Sequence, residues 1–244
     1  NGNKRKLSKR KDPEASVDYY NTVGYPESAV IEYLMNLADS RFESWRMENI
    51  DADISSFKLN PSGLGGGGPL FDEIKLRDIS KNHLAKMTAE EFYNRMYLWS
   101  QEYQKTFASF LGNNKDYAIK VFAIERGGDS QRRDIASFSE VPSEYNFFFD
   151  PHFSVTDKFT GKNILKEDEL RIIANELLAV CKGNMDHAEW FGKMQVVATK
   201  FDLAPNLKSF KENPSSFRGQ VGEIAQFLRY ILTGKNKSPD LYQV

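Results

Sequence analysis

Residues 6–37 read KLSKRKDPEASVDYYNTVGYPESAVIEYLMNL, and this stretch decides how the chain begins to fold. Ser16 is a typical N-cap and Gly24 is a typical helix stop, so the segment between them predicts a short helix. Pro26 is compatible with the first turn of a second helix. The stretch therefore predicts two short helices separated by Gly-Tyr-Pro, with a basic segment ahead of them.

Apolar residues recur at helical spacing along most of the chain, which predicts a mainly α fold. In FDEIKLRDISKNHLAKM (71–87) we expect two helical pieces broken near Ser80. Thr88 and Glu91 fit a capping box, which predicts a long helix from there to about Leu111. The second helix is expected to bury Ala29, Ile31, Leu34 and Leu37, and the long helix Phe92, Met96, Trp99, Tyr103, Phe107 and Phe110.

Composition excludes several classes of protein. Hydrophobic residues make up 40% of the 244 residues, which is too apolar for a disordered chain. No apolar run approaches the roughly 18 residues needed to span a membrane. A single cysteine, Cys181, cannot form an internal disulfide, so we expect a reducing compartment, by default the cytoplasm. The three histidines lie far apart, and no metal site is expected.

Charge is distributed unevenly. The chain has 33 Lys and Arg, and six of them lie in the first eleven residues, where there is no acidic residue. All 34 Asp and Glu follow that segment. An anionic partner is therefore expected to bind locally rather than over a uniformly basic surface.

The basic segment has the chemistry of a polyanion site. Lys6 and Lys9 flank Ser8, and lysine ammonium groups act as mobile point charges that can follow a phosphate. Taken alone, the residues favour a solvated basic tail, and they also fit a nuclear-import signal. The run Gly65–Gly68 invites a nucleotide-loop interpretation, but neither a preceding strand nor a following Lys-Ser/Thr supports it.

Four segments in order resemble bacterial glutamyl-tRNA synthetases. The first, from Lys6, resembles the stretch that begins at the KMSKS-type signature loop, which often reads KLSKR in that family. The others are FDEIKLRDISKNHLAKM (71–87), ERGGDSQRRDIASFSEV (125–141) and RYILTGKNKSPDLYQV (229–244). The resemblance spans nearly the whole chain.

The resemblance implies a C-terminal fragment of a class I synthetase that activates glutamate with ATP and transfers it to tRNA(Glu). The Rossmann domain with its HIGH-type motif precedes the signature loop in the family and is not found in this sequence, so we expect the isolated chain to be inactive. The implied ATP-binding residues are Lys9, Lys6 and Ser8, with Mg²⁺ accompanying ATP and no metal bound to the fragment. We expect a monomer that does not bind membranes.

The resemblance also implies a division into three regions. Residues 1–87 would hold the signature loop and a stem-contact region. Residues 88–150 and 160–244 would form two helical anticodon-binding units. Candidate tRNA contacts, chosen by residue type, are Lys75, Arg77, Lys81, Arg132 and Arg133, with Arg218 and Arg229 as further arginines.

Two alternatives remain open at this stage. One is a glutaminyl or non-discriminating relative, because the amino-acid pocket is not in the chain. The other is a helical interaction module with a basic, nuclear-import-like tail. Salt-dependent tRNA binding would separate this second alternative from a synthetase.

Overall fold

The computed structural model describes residues 7–8, 10–60, 70–127, 131–161 and 164–244. Within these ranges it contains twelve α-helices and one pair of two-residue strands, which confirms the predicted mainly α fold; these residues form no Rossmann sheet. None of the helices in the described ranges is long and apolar enough to cross a membrane. The chain divides into two compact units, residues 1–144 and 145–244.

In the part of the first unit that the structure describes there are eight α-helices. They are α1 (Val17–Val23), α2 (Glu27–Ala38), α3 (Arg41–Glu48), α4 (Glu73–Lys86), α5 (Ala89–Tyr103), α6 (Lys105–Asn113), α7 (Lys115–Ala123) and α8 (Val141–Glu144).

Helix α2 packs against α4 through buried Tyr33 and Leu76. The Tyr33 hydroxyl accepts the Asp72 N–H at 2.6 Å, which ties α2 to the start of α4. The expected inward face of α2 was wrong at Ile31 and Leu34, which are both exposed. The face that is buried instead carries Tyr33, because a tyrosine can fill the core and still satisfy its hydroxyl.

Helix α4 is continuous, so the predicted break near Ser80 was wrong. Ser80 is fully buried, and its hydroxyl donates to the Ala136 carbonyl at 2.5 Å. A serine in mid-helix usually indicates a competing local hydrogen bond. Here the hydroxyl instead joins α4 to the segment before α8.

The end of α1 meets α5 at a tight contact. Gly24 has φ +81°, and its carbonyl accepts the Phe138 N–H at 3.0 Å. The Trp99 indole Nε1 donates to the Asn21 carbonyl at 3.0 Å. A Cβ on residue 24 would lie 2.8 Å from both Trp99 Nε1 and Phe138 Cβ, so this turn needs glycine for its backbone conformation and for space.

The capping box of Thr88 and Glu91 is confirmed at the start of α5. The helix ends at Tyr103, because Gln104 leaves helical geometry (φ −143°, ψ 62°), so the prediction of one helix to about Leu111 was wrong. The predicted apolar stripe is nevertheless buried at Phe92, Met96, Trp99 and Phe107.

Among its described residues, the second unit holds four α-helices and the strand pair. They are α9 (Glu167–Val180), α10 (His187–Thr199), β1 (Leu203–Ala204), α11 (Leu207–Glu212), β2 (Gly219–Gln220) and α12 (Val221–Thr233). The strands are parallel, with Leu203 opposite Gly219. A common apolar core is formed by buried side chains of α9, α10 and α12, which include Ile173, Met194 and Ile224 respectively.

Candidate ATP and tRNA contact residues

The N-terminal candidates fall partly outside the described residues. Lys6 and Lys9 lie outside them, as does the glycine run Gly65–Gly68. Ser8 is described and half-buried. Its amide donates to Asp12 Oδ2 at 2.7 Å, and its carbonyl accepts the amides of Lys11 and Asp12 at 2.9 and 2.8 Å. The basic segment therefore ends in a closed turn.

A 3₁₀ turn, Pro13–Ala15, connects this closed turn to α1. The Tyr20 hydroxyl donates to the Glu14 carbonyl at 2.6 Å. Burial, together with the neighbouring Tyr33 and Glu14, raises the pKa of Tyr20 to about 12. The hydroxyl therefore keeps its proton, and the donated hydrogen bond persists across the physiological pH range.

Each candidate cation on α4 pairs with a carboxylate. Lys75 Nζ lies 2.9 Å from Glu43, Arg77 Nη1 lies 2.6 Å from Glu140, and Lys81 Nζ lies 3.6 Å from Asp78. The three basic side chains remain about one-third exposed. An exposed ion pair contributes about 0–1 kcal/mol, so a phosphate can compete for Lys75 and Lys81. Arg77 is held more firmly, because Glu140 is only 22% exposed and Tyr25 also contacts the guanidinium.

The neighbouring candidates Arg132 and Arg133 differ in their exposure and in their ion pairing. The Arg132 guanidinium pairs with Asp134, and its side chain is only 12% exposed. Arg133 is exposed and forms no ion pair with any residue in the described ranges. Of the two, Arg133 is better suited to contact an external anion.

A cavity of about 1110 Å³ opens beside Arg133. Its wall includes a polar network that the sequence did not reveal: His83 lies 3.0 Å from the Ser28 hydroxyl and 2.9 Å from Glu32 Oε2, and Arg46 lies 3.2 Å from Glu32. Burial alone would raise the pKa of Glu32, but the bond from His83 and the charge of Arg46 lower it. These residues come from three helices, so no motif spacing links them.

Arg46 also holds the loop after α3. Its guanidinium donates to the carbonyls of Asn49 and Ala52 at 3.0 and 2.8 Å. Arg46 lies over the rings of Phe42 and Trp45, with its guanidinium carbon 5.7 and 5.3 Å from the ring centroids. Its buried Nε has no hydrogen-bond partner among the described residues, but the other contacts of the guanidinium all lie within its own unit, so we assign Arg46 a structural role.

The two candidate arginines of the second unit, Arg218 and Arg229, are occupied as well. Arg218 donates to both carboxylate oxygens of Glu169, at 2.6 and 3.0 Å, and to the Ile164 carbonyl. This pairing lowers the pKa of Glu169 to about 2. Arg229 Nε donates to the Ser238 hydroxyl at 3.1 Å. Among the described residues of the whole chain, no group of three His, Cys, Asp or Glu side chains could hold a metal ion.

Comparison with known proteins gives one consistent result. No family model matches the chain. The glutamate–tRNA ligase of Acetivibrio thermocellus is 38% identical over 244 residues, which is 100% of this chain and 44% of that protein. The glutamate–tRNA ligase of Clostridium perfringens strain 13 is 37% identical over 99% of the chain and 44% of its own length. The glutamate–tRNA ligase of Sorangium cellulosum is 34% identical over 99% of the chain and 42% of its own length.

The chain thus spans less than half the length of the curated relatives that it matches, while those relatives cover essentially all of it. The KLSKR segment, the helical architecture and this full-length similarity agree with one another. Over essentially its whole length, the chain is similar to part of the glutamate–tRNA ligases of these bacteria.

Proposed function

We propose that the chain is the tRNA-binding part of a glutamate–tRNA ligase, which activates glutamate with ATP and transfers it to tRNA(Glu). The observation that carries this proposal is the 38% identity over all 244 residues. The chain corresponds to 44% of that relative, so the complete reaction would belong to the longer protein and not to this segment. We expect a monomeric cytoplasmic enzyme.

In this proposal the first part of the chain serves the chemical step. Lys9, with Lys6 and Ser8 beside it in sequence, would contact the triphosphate of ATP. Lysine at these positions would stabilise charge that develops on the phosphates during adenylate formation. Mg²⁺ would enter with ATP as part of the substrate.

The remainder would hold the tRNA. Residues 1–87 would include the stem-contact region, and residues 88–150 and 160–244 would be the two anticodon-binding units. Lys75, Arg77 and Lys81 are about one-third exposed, which supports them as phosphate contacts. The exposure of Arg133 supports it as a tRNA contact. Arg132 would act mainly by holding the segment around Arg133 in place through its pair with Asp134.

The test is tRNA binding by the chain itself, measured over a range of salt concentrations with tRNA(Glu) and with anticodon variants. If phosphates are contacted, the logarithm of the affinity should fall linearly with the logarithm of the salt concentration, with a slope of about −0.9 per contact. Anticodon changes should weaken binding at every salt concentration. Binding that depended on neither salt nor anticodon would refute the proposal and favour a helical interaction module.

Two further measurements complete the test. Charging of tRNA(Glu) with glutamate should occur with the longer protein and not with the isolated chain. If the longer protein discriminates, it should charge tRNA(Gln) much more slowly than tRNA(Glu). If it is a non-discriminating relative, the two rates should be comparable. Charging by the isolated chain would contradict the proposed division of labour.

A further inference from the structure

The cavity of about 1110 Å³ beside Arg133 has an apolar side. Ile31 from α2, Met47 from α3 and Ile50 from the loop after α3 line it, and all three side chains are exposed. Binding cavities for small molecules are of about this size, and their apolar walls cover most of the ligand surface. The cavity can therefore cover the face of a flat ligand.

Polar side chains on the same wall have unused hydrogen-bonding groups. Asn82, Gln131 and Arg133 line the cavity, and their side chains form no hydrogen bond or ion pair with any residue in the described ranges. Asparagine and glutamine amides suit the edge of an unpaired base, and an arginine guanidinium suits a phosphate. The wall thus offers two amides and one positive charge to a bound molecule.

The acidic residues of the wall are already engaged. Each has a partner: Glu32 with His83 and Arg46, Asp51 with Lys86, and Asp53 with the Ser55 amide. Of the Lys and Arg side chains in the described part of this wall, only Arg133 has no carboxylate partner. The charge left to attract a ligand is therefore positive, which favours an anion.

We propose that this cavity binds one unstacked nucleotide of the tRNA, with its base against the apolar wall and its phosphate at Arg133. The proposal rests on the proposed function, because it needs the chain to bind tRNA. Proteins recognise RNA bases that are splayed out by covering their faces and bonding their edges. Ile31 and Met47 supply the apolar face in this cavity, and Asn82 supplies the amide for the edge.

Affinity for tRNA(Glu), measured with the chain itself over a range of salt concentrations, tests the edge contact. Asn82→Ala should weaken binding about threefold to tenfold, the effect of one lost hydrogen bond. The slope against salt should stay the same, because the amide contacts a base. Arg133→Ala should reduce that slope by about 0.9, because the guanidinium contacts a phosphate.

Asn94→Ala is the matched control for Asn82→Ala. Asn94 is also an exposed asparagine within a helix of the first unit, on α5, and it does not line the cavity. This variant should bind tRNA(Glu) as tightly as the wild type. Equal losses of affinity in the two asparagine variants would overturn the proposal.

The apolar wall has a matched pair of its own on α2. Ile31 is 44% exposed and lines the cavity, whereas Leu34 is 51% exposed and does not line it. Ile31→Ser should weaken tRNA binding about threefold to tenfold, because apolar surface that covers the base is lost, and Leu34→Ser should leave binding unchanged. Thermal unfolding of the two variants should be alike. Unchanged affinity in Ile31→Ser would overturn the proposal.

Chemical probing of tRNA(Glu) shows whether a base is covered. Dimethyl sulfate and a carbodiimide together modify the pairing edges of all four unpaired bases. The wild-type chain and Asn94→Ala should protect one unpaired base that remains reactive in the presence of Asn82→Ala. If no base depends on Asn82 for its protection, the proposal is wrong.

Free nucleoside monophosphates distinguish a nucleotide of the tRNA from a soluble one. Within tRNA the remaining contacts meet most of the cost of association, whereas a free nucleotide meets it alone. AMP, CMP, GMP and UMP should therefore bind the chain no more tightly than about millimolar. Micromolar binding of one of them that is lost in Asn82→Ala would assign the cavity to a free nucleotide and overturn the proposal.

The outcomes also separate the cavity from the proposed function. A wild-type chain that does not bind tRNA refutes the proposed function and the role of the cavity with it. A wild-type chain that binds tRNA(Glu), with Asn82→Ala and Ile31→Ser binding equally well, refutes the role of the cavity alone.

Discussion

Arg77 and Glu140 form an ion pair with 2.6 Å between Nη1 and Oε1. The other carboxylate oxygen of Glu140 accepts the Ala136 amide at 2.8 Å. Burial lowers the pKa of the Arg77 guanidinium, but Glu140 and Tyr25 outweigh this effect and raise it. One carboxylate therefore orients a proposed phosphate contact and fixes the segment that follows Arg132 and Arg133.

Replacing Arg77 tests the proposed tRNA surface. Arg77→Ala should weaken tRNA binding about threefold to tenfold and reduce the salt slope by about 0.9, because one phosphate contact is lost. Filter binding at several salt concentrations measures both quantities. Lys120→Ala removes an exposed charge of the same sign from α7 in the same unit and should have little effect. Equal losses in both variants would indicate a general charge effect and no specific contact.

Two glycine-to-alanine substitutions should have opposite effects on stability. Gly24→Ala should lower the free energy of unfolding by about 2–4 kcal/mol, because alanine is strained at φ +81° and would overlap Trp99 and Phe138. Gly192→Ala lies within α10 with open space around the added methyl group and should raise the free energy of unfolding by about 0.5–1 kcal/mol. Urea denaturation of each variant checks both signs. A stabilising Gly24→Ala would contradict the described turn.

The pair of Glu169 and Arg218 should make stability depend on pH. The folded pKa of Glu169 is about 2, below its usual 4.5, so its contribution is fully present above pH 4.5 and is lost as pH falls toward 2. The urea midpoint of Glu169→Gln should therefore lie below that of the wild type at pH 6 and converge with it between pH 4.5 and 2. Glu212→Gln, at an exposed position, should follow the wild type throughout. A constant difference for Glu169→Gln across this range would contradict the pairing.

Arg46 should be important for stability and not for binding. Arg46→Ala removes the donors to Asn49 and Ala52 and leaves Glu32 without one of its cations, which should cost about 2–4 kcal/mol of unfolding free energy. Arg46→Lys keeps the charge but cannot reproduce the forked donors, so its cost should be intermediate. Denaturation curves give these costs, and tRNA affinity under folding conditions should not change. A loss of affinity without a loss of stability would assign Arg46 to the binding surface.

Much of the fold could be predicted, because apolar residues that are buried along one face of a helix recur at helical spacing in the sequence. The apolar stripe of α5 correctly predicted that Phe92, Met96 and Trp99 are buried, and the capping box correctly predicted where the helix begins. Periodicity failed at Ile31 and Leu34, because an exposed apolar residue and a buried one look the same in a sequence. It also missed α3, which has no clear apolar stripe and is instead fixed by buried Phe42 and by the pairing of Asp39 with Arg41.

The candidate site was predictable only where a motif exists. KLSKR is a local signature, so its residues could be named from sequence alone. The acidic partners of Lys75 and Arg77 lie on other elements, far away in the chain, and only the tertiary fold brings them together. The turn that Asp12 closes with Ser8 is local, but nothing in the pattern of residue types separates it from an ordinary turn.

The contacts of Asn21, Gly24 and Ser80 have a consequence for synthesis on the ribosome. Their hydrogen-bond partners are Trp99, Phe138 and Ala136. The early helices therefore cannot form these hydrogen bonds until residues up to Phe138 have been synthesised. The first unit should emerge as a loosely folded chain and become protease-resistant in a single late step, after α7 and the segment beyond it have left the exit tunnel.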